Sequence, residues 1–145
     1  MKEYQRLSHT RWDCKYHVVF IPKRRKKRIF GVLRWQQLGE IFHELAEHKE
    51  SKVVEGHLMS DHVPMCLSIP PKYAVSNVDS YIKGKSAIRI ARKFGYRQKS
   101  FAGEHLWARR YFVSTVGLDE HMVRAYIRNQ EEEDERYAQM KLEMG

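Results

Sequence analysis

Trp12, Cys14, Tyr16, Val18 and Phe20 occupy alternate positions of one run that ends at Pro22. A period of two, carried by aromatic and β-branched side chains, specifies a strand with one apolar face. Proline cannot extend its hydrogen-bond ladder. Such a strand needs a partner layer, and the rest of the chain supplies it. From about 32 to 49, Trp35, Leu38, Phe42 and Leu45 recur at helical spacing. Two short strands are predicted next, at about 51–58 and 62–69, joined by a turn at Met59-Ser60-Asp61 and stopped by Pro70-Pro71. A second helix follows over about 75–94, with Gly95 suited to its end. The run 106–114 (LWARRYFVS) reads as a last strand, and a third helix starts near Glu120 and enters an acidic tail. The first six elements have the split βαβ order. They predict an α+β, ferredoxin-like fold, an antiparallel sheet with two helices on one face, plus a C-terminal helix.

The chain has 145 residues, no internal repeat and no Ser/Gly-rich break, so a single domain over 1–145 is expected, with the acidic helical tail from about 131. Hydrophobic residues make up 42% and charged residues 31%, a globular composition rather than a disordered one. No apolar stretch is long enough to span a membrane, and the N-terminal residues lack the apolar core of a signal peptide, which predicts a cytoplasmic protein. Cys14 and Cys66 are far apart in strand-like runs and read as buried, reduced thiols. Twenty-seven Lys and Arg against 18 Asp and Glu give a net charge of +9, which favours a polyanionic partner through counterion release.

Three segments are candidates for chemistry. His43-Glu44-Leu45-Ala46-Glu47-His48 resembles a zinc-protease helix, but that motif needs histidines four apart. Five apart they point about 140° from each other around a helix. They read as exposed helix residues. In the second helix, Lys85, Arg89, Arg92 and Lys93 form one basic stripe, with Ala87, Ile90, Ala91 and Phe94 roughly opposite as a buried face. Together with the Lys23–Arg28 block they predict a phosphate-binding surface. In the third helix, Tyr126 and Gln130 are four apart, so phenol and amide lie side by side. A tyrosine there is either a packing residue or a nucleophile, and spacing does not choose between these.

The ordered blocks Glu55-Gly56-His57-Leu58-Met59-Ser60-Asp61-His62-Val63-Pro64-Met65, Ile69-Pro70-Pro71-Lys72-Tyr73, Ile82-Lys83-Gly84-Lys85-Ser86-Ala87, Leu106-Trp107-Ala108-Arg109, Tyr111-Phe112-Val113-Ser114-Thr115-Val116-Gly117 and Tyr126-Ile127-Arg128-Asn129-Gln130 carry a resemblance. Taken together, from His9-Thr10-Arg11-Trp12 to Gln130, the chain resembles the small single-tyrosine transposases of bacterial insertion sequences, members of the HUH nuclease group, and their REP-associated relatives.

The resemblance implies a homodimer acting on single-stranded DNA hairpins at element ends, with exchange of the tyrosine helix between subunits, in the cytoplasm and at the nucleoid. In such enzymes a tyrosine attacks a phosphodiester and keeps a 5′-phosphotyrosyl link, so rejoining needs no ATP. Mg²⁺ or Mn²⁺ is held by two histidines flanking one hydrophobic residue and by a polar ligand on the tyrosine helix. Here Tyr126 matches the nucleophile, His62 the first histidine and Gln130 the helix ligand. Arg11, Lys23, Arg24, Lys83, Lys85, Arg89, Arg92 and Lys93 are the expected DNA contacts.

Two positions depart from the pattern. Pro64 stands where the second histidine belongs, and its side chain has no donor atom. It also removes a ladder N–H, so a bulge or break is expected there. Arg110 stands where relatives often have Gly. His57 faces the same side as His62 if the hairpin loop is the two residues Ser60-Asp61, and the other side if the loop is three. The leading expectation is a transposase impaired by Pro64. The alternatives are an inactive DNA-hairpin-binding regulator and a metal-free RNA-binding domain.

Overall fold

In a computed structural model, residues 5–7, 10–12, 14–23, 33–95, 106–108 and 112–144 are described. The elements are β1 (Gln5–Leu7), β2 (Thr10–Trp12), β3 (Lys15–Phe20), α1 (Trp35–His48), β4 (Lys52–Gly56), β5 (Val63–Ser68), α2 (Val75–Ile90), β6 (Phe112–Ser114) and α3 (Glu120–Met144). The four longer-range strands form one antiparallel sheet in the order β4-β5-β3-β6, and β1 and β2 form a separate hairpin. This is the expected α+β, ferredoxin-like arrangement. The predicted first strand is in fact two pieces: Trp12 ends β2, and β3 starts at Lys15.

Alternation sorts the sheet into two faces. Val18 and Phe20 of β3, and Val63, Met65 and Leu67 of β5, bury against Leu38, Phe42, Leu45 and Ala46 of α1 and Val78, Ile82, Ala87 and Ile90 of α2. Phe20 meets Phe42 edge-on at 5.5 Å and Trp107 at 5.4 Å. The Trp107 indole N–H donates to Ser86 Oγ at 3.0 Å, which satisfies a buried polar atom on each side. Gly56 lets Trp35 lie against β4; a Cβ there would collide with the Trp35 ring. The opposite face of the sheet, with Val19 and Ile21, packs with Ala108 against Val123 and Ile127 of α3.

α2 finishes in a wider turn over Ala91–Gly95, close to its expected end at Gly95. Ala87, Ile90 and Ala91 are buried as the stripe predicted. The expected strand over 106–114 is seen as a bridge between Pro22 and Trp107 and as β6; Arg110 lies outside the described residues. Cys66 is buried, and that burial pushes its thiol pKa up; Cys14 is half-buried, and both thiols are free.

The break expected at Pro64 is absent. Pro64 pairs with Val19 in an unbroken β3–β5 ladder. The reason is direction: the Pro64 carbonyl accepts from His57 N at 3.1 Å, so the missing N–H faces β4, the edge strand. The irregularity falls instead on β4, between Val53 and Glu55.

Candidate active site

Two rows of residues cross the face of the sheet that α1 and α2 leave open. Met59 N donates to His62 O at 3.0 Å and His57 N to Pro64 O at 3.1 Å, so the hairpin loop is the two-residue one, Ser60-Asp61. Pro64 pairs with Val19, and Val19 with Phe112. One row therefore runs His57, Pro64, Val19, Phe112. In the neighbouring row Met59 is opposite His62, and Ile21, one residue beyond the Phe20–Val63 pair, leads to Ala108, whose N donates to Ile21 O at 2.7 Å. Val63, between His62 and Pro64, points into the core.

α3 lies over these rows. Asp119 caps it, accepting from His121 N at 2.8 Å and Met122 N at 3.3 Å through Oδ1. Gly117, at φ +112°, makes the turn that precedes it, in a region open to glycine. Val123 and Ile127 seat the helix on Val19, Ile21 and Ala108. Tyr126 joins the same cluster, its ring 5.4 Å from that of Phe112. Gln130, one turn on, is 4% exposed.

A carboxylate ties the helix to the hairpin. His62, 7% exposed, donates from Nδ1 to Asp61 Oδ1 at 2.7 Å. Since a carboxylate accepts only, Nδ1 carries a proton, and in the neutral imidazole the lone pair is on Nε2. Asp61 Oδ2 lies 3.4 Å from an Arg124 guanidinium nitrogen, two residues before Tyr126. Asp61 adjoins the histidine in sequence, but Arg124 carried no signal: its contact exists only once the helix crosses the hairpin turn.

As donors for a divalent ion, His62 offers Nε2 and Gln130 its amide, while Pro64 offers nothing. Gln130 Nε2 is buried and has no hydrogen-bond partner among the described residues, a free N–H donor suited to an acceptor oxygen, whereas a cation would be met by the amide oxygen. No three His, Cys, Asp or Glu side chains gather at metal-binding distance among the described residues.

The basic surface is narrower than expected. Lys85, Arg92 and Lys93 are exposed on α2 and its final turn. Arg89 is held by Glu44 of α1 through bonds of 2.6 and 3.1 Å, and that pairing lowers the Glu44 pKa. Lys83 is not on the surface stripe. Its side chain is 11% exposed, 3.1 Å from Asp79, and its ammonium lies over the Phe20 ring. Burial pushes the Asp79 pKa up and the Lys83 pKa down. Lys23 is also buried, at 8% exposure, because its backbone N–H donates to Leu106 O and draws that end of the loop inward. Arg24 and the Arg11 side chain lie outside the described residues. His43 and His48 are exposed, as expected; His48 Nδ1 lies 2.8 Å from the Tyr81 hydroxyl.

Residues 10–130 match the family described as "Transposase IS200 like". Over 142 residues, 98% of this chain and 93% of theirs, the sequence is 38% identical to the transposases for insertion sequence element IS200 of Salmonella typhimurium and Salmonella typhi. A crystal structure of a candidate transposase from Deinococcus radiodurans R1 has the same fold, with a TM-score of 0.66 at 24% identity, covering 90% of this chain and 98% of that one.

Proposed function

The chain belongs to the IS200-like transposase family, and from that premise we propose that it binds hairpin-bearing single-stranded DNA and cleaves and rejoins it through Tyr126, at a rate reduced by Pro64. The observation that carries this reading is the docking of the tyrosine helix. Tyr126 shares one cluster with Val19 and Phe112 in the row of Pro64, and Arg124 meets the carboxylate that holds His62.

In this reading the Tyr126 phenolate oxygen forms a bond to phosphorus, and the bond from phosphorus to the 3′ oxygen breaks. The phenol proton passes to solvent, and the 3′ oxygen leaves as a hydroxyl. The phosphotyrosyl link retains the energy for rejoining, and attack by a 3′-OH reverses the step. His62 Nε2 and Gln130 would hold Mg²⁺ or Mn²⁺, which when bound polarises the scissile phosphate. Asp61 keeps the His62 ring oriented toward that position. Lys85, Arg92 and Lys93 bind the backbone of the hairpin by charge. The protein works as a homodimer in the cytoplasm, at nucleoid DNA, with the tyrosine helix open to exchange between subunits. Among the described residues no helix is long and apolar enough to cross a membrane.

The test is a covalent adduct. Purified protein is incubated with a labelled hairpin-bearing strand and Mn²⁺, beside Pro64→His. A weak adduct from the natural chain and a strong one from Pro64→His is the expected pair. An equally strong adduct from both removes the impairment, and none from either, with no hairpin binding, removes the reading.

The donorless Pro64 also favours a second reading, a hairpin-binding regulator that no longer cleaves. It predicts salt-sensitive hairpin binding unchanged by Tyr126→Phe, and no adduct from the natural chain at any Mn²⁺ concentration.

A further inference from the structure

The two-residue loop decides which side chains share the face with His62. Residues directly opposed in an antiparallel pair project to the same side of the sheet. Position 57 is opposed to Pro64 and position 59 to His62, so His57 stands on the open face, one strand outward from the proline. Positions 57 and 62 are then diagonal neighbours, about 7–8 Å apart and within reach of long side chains.

Each partner is chemically ready. His62 turns Nε2 outward because Asp61 accepts a hydrogen bond from its Nδ1–H. The His57 side chain is 61% exposed, and its Nε2 lies 2.9 Å from Glu55 Oε1. An exposed pair of this kind is weak, so the ring leaves it at small cost. Between them Pro64 presents a short ring with no polar atom.

We propose that the His57 imidazole supplies the donor that Pro64 lacks, so that His57 and His62 form a divalent-cation site shifted toward β4. The site rests on the transposase reading for its role, but its existence is a property of the hairpin register. Two imidazoles make it a site for Mn²⁺ or Co²⁺ before Mg²⁺, because nitrogen donors suit transition ions and Mg²⁺ prefers oxygen. A site set away from the Phe112–Tyr126 side of the row would support cleavage at a reduced rate.

The experiment is Mn²⁺ titration of the full chain without DNA, followed by the electron paramagnetic resonance signal of free Mn²⁺. The variants are His57→Ala, His57→Asn, His62→Ala, Pro64→His and the double variant His57→Ala/Pro64→His, each checked for folding by circular dichroism. Both His57 substitutions are expected to weaken Mn²⁺ binding by about tenfold or more. In the Pro64→His background, His57→Ala is expected to change nothing. Mn²⁺ affinity unchanged by both His57 substitutions overturns the site, as does a natural chain that binds no tighter than His62→Ala. Hairpin binding in chelator, measured on the same samples, separates the two readings. If it persists and Pro64→His forms the adduct, without any His57 dependence of Mn²⁺ affinity, the site falls and the transposase reading stands. If hairpin binding is absent, and Pro64→His also forms no adduct, the transposase reading falls whatever the Mn²⁺ result.

Discussion

Arg124 on the tyrosine helix and Asp61 in the hairpin turn lie 3.4 Å apart, and the other oxygen of that carboxylate accepts a hydrogen bond from His62 Nδ1. One side chain thus touches both the expected metal ligand and the element that carries the expected nucleophile. Orienting carboxylates of this kind typically contribute about 10–100-fold to metal affinity or activity. In a Pro64→His background, Asp61→Ala is expected to lower the rate of adduct formation by a factor in that range. Hairpin affinity in chelator should not change. An unaltered adduct rate would mean that Asp61 is only a turn residue.

Tyr126→Phe keeps the ring that packs near Phe112 and removes the hydroxyl alone. Adduct formation in the Pro64→His background should vanish, while the thermal midpoint stays close to that of the parent. Denaturing gels of the labelled strand and a calorimetric scan check the two halves. Residual adduct would assign the nucleophile elsewhere.

The buried Asp79–Lys83 pair makes a contrasting prediction about stability. Removing one partner of such a pair costs about 3–5 kcal/mol because the other charge is left stranded, whereas replacing both with apolar residues is often neutral or stabilising. Asp79→Ala should therefore lower the urea midpoint strongly, and Asp79→Leu/Lys83→Met should recover most of the loss.

The same pair sets a pH dependence. Burial raises the Asp79 pKa above its ordinary 3.8, so the folded state holds this proton more tightly than the unfolded chain does. Its contribution is then fully present below the unfolded value and is lost as pH rises through the folded one. Stability measured by urea unfolding from pH 3 upward should carry this declining contribution, and Asp79→Asn should remove it. A curve unchanged by Asp79→Asn would contradict the assignment.

Charge on α2 should act through DNA rather than through the fold. Replacing Lys85, Arg92 and Lys93 with Ala is expected to weaken hairpin binding and to flatten its salt dependence, by about 0.7–0.9 in logarithmic slope for each phosphate no longer neutralised. Arg89→Ala should have a smaller effect on DNA, since Glu44 already holds that guanidinium. Fluorescence anisotropy across a salt series separates the two.

Gly56→Ala tests the seat of α1. The added methyl meets the Trp35 ring, and overpacking of this sort costs about 1–3 kcal/mol. Pairing it with Trp35→Leu should relieve the clash and raise stability above that of Gly56→Ala alone.

Much of this protein was legible in its order of residues. The alternation around Val18 and Phe20 and the helical spacing of Leu38, Phe42 and Leu45 specified the ferredoxin-like layers, because burial periodicity follows directly from backbone geometry. The same holds for the site's constituents: Tyr126 and Gln130 are one helical turn apart, and His62 and Pro64 flank a core-facing Val63. Charge was less well read. A helical wheel puts Lys85 and Arg89 on one stripe, but Glu44, 45 residues away, captures Arg89. Lys83 and Lys23 are buried, because desolvation and pairing depend on what packs above them.

Tertiary structure decided three further matters. It set the loop at two residues, which puts His57 across from Pro64; one more residue would have turned every side chain of that strand over. It aimed the missing proline N–H at the edge strand, so the ladder survives. It also laid Arg124 against the Asp61 carboxylate. All three join segments distant along the chain or set the register between them. Local propensity and spacing constrain each segment alone, and only the packed sheet and helix fix the register and angle at which they meet.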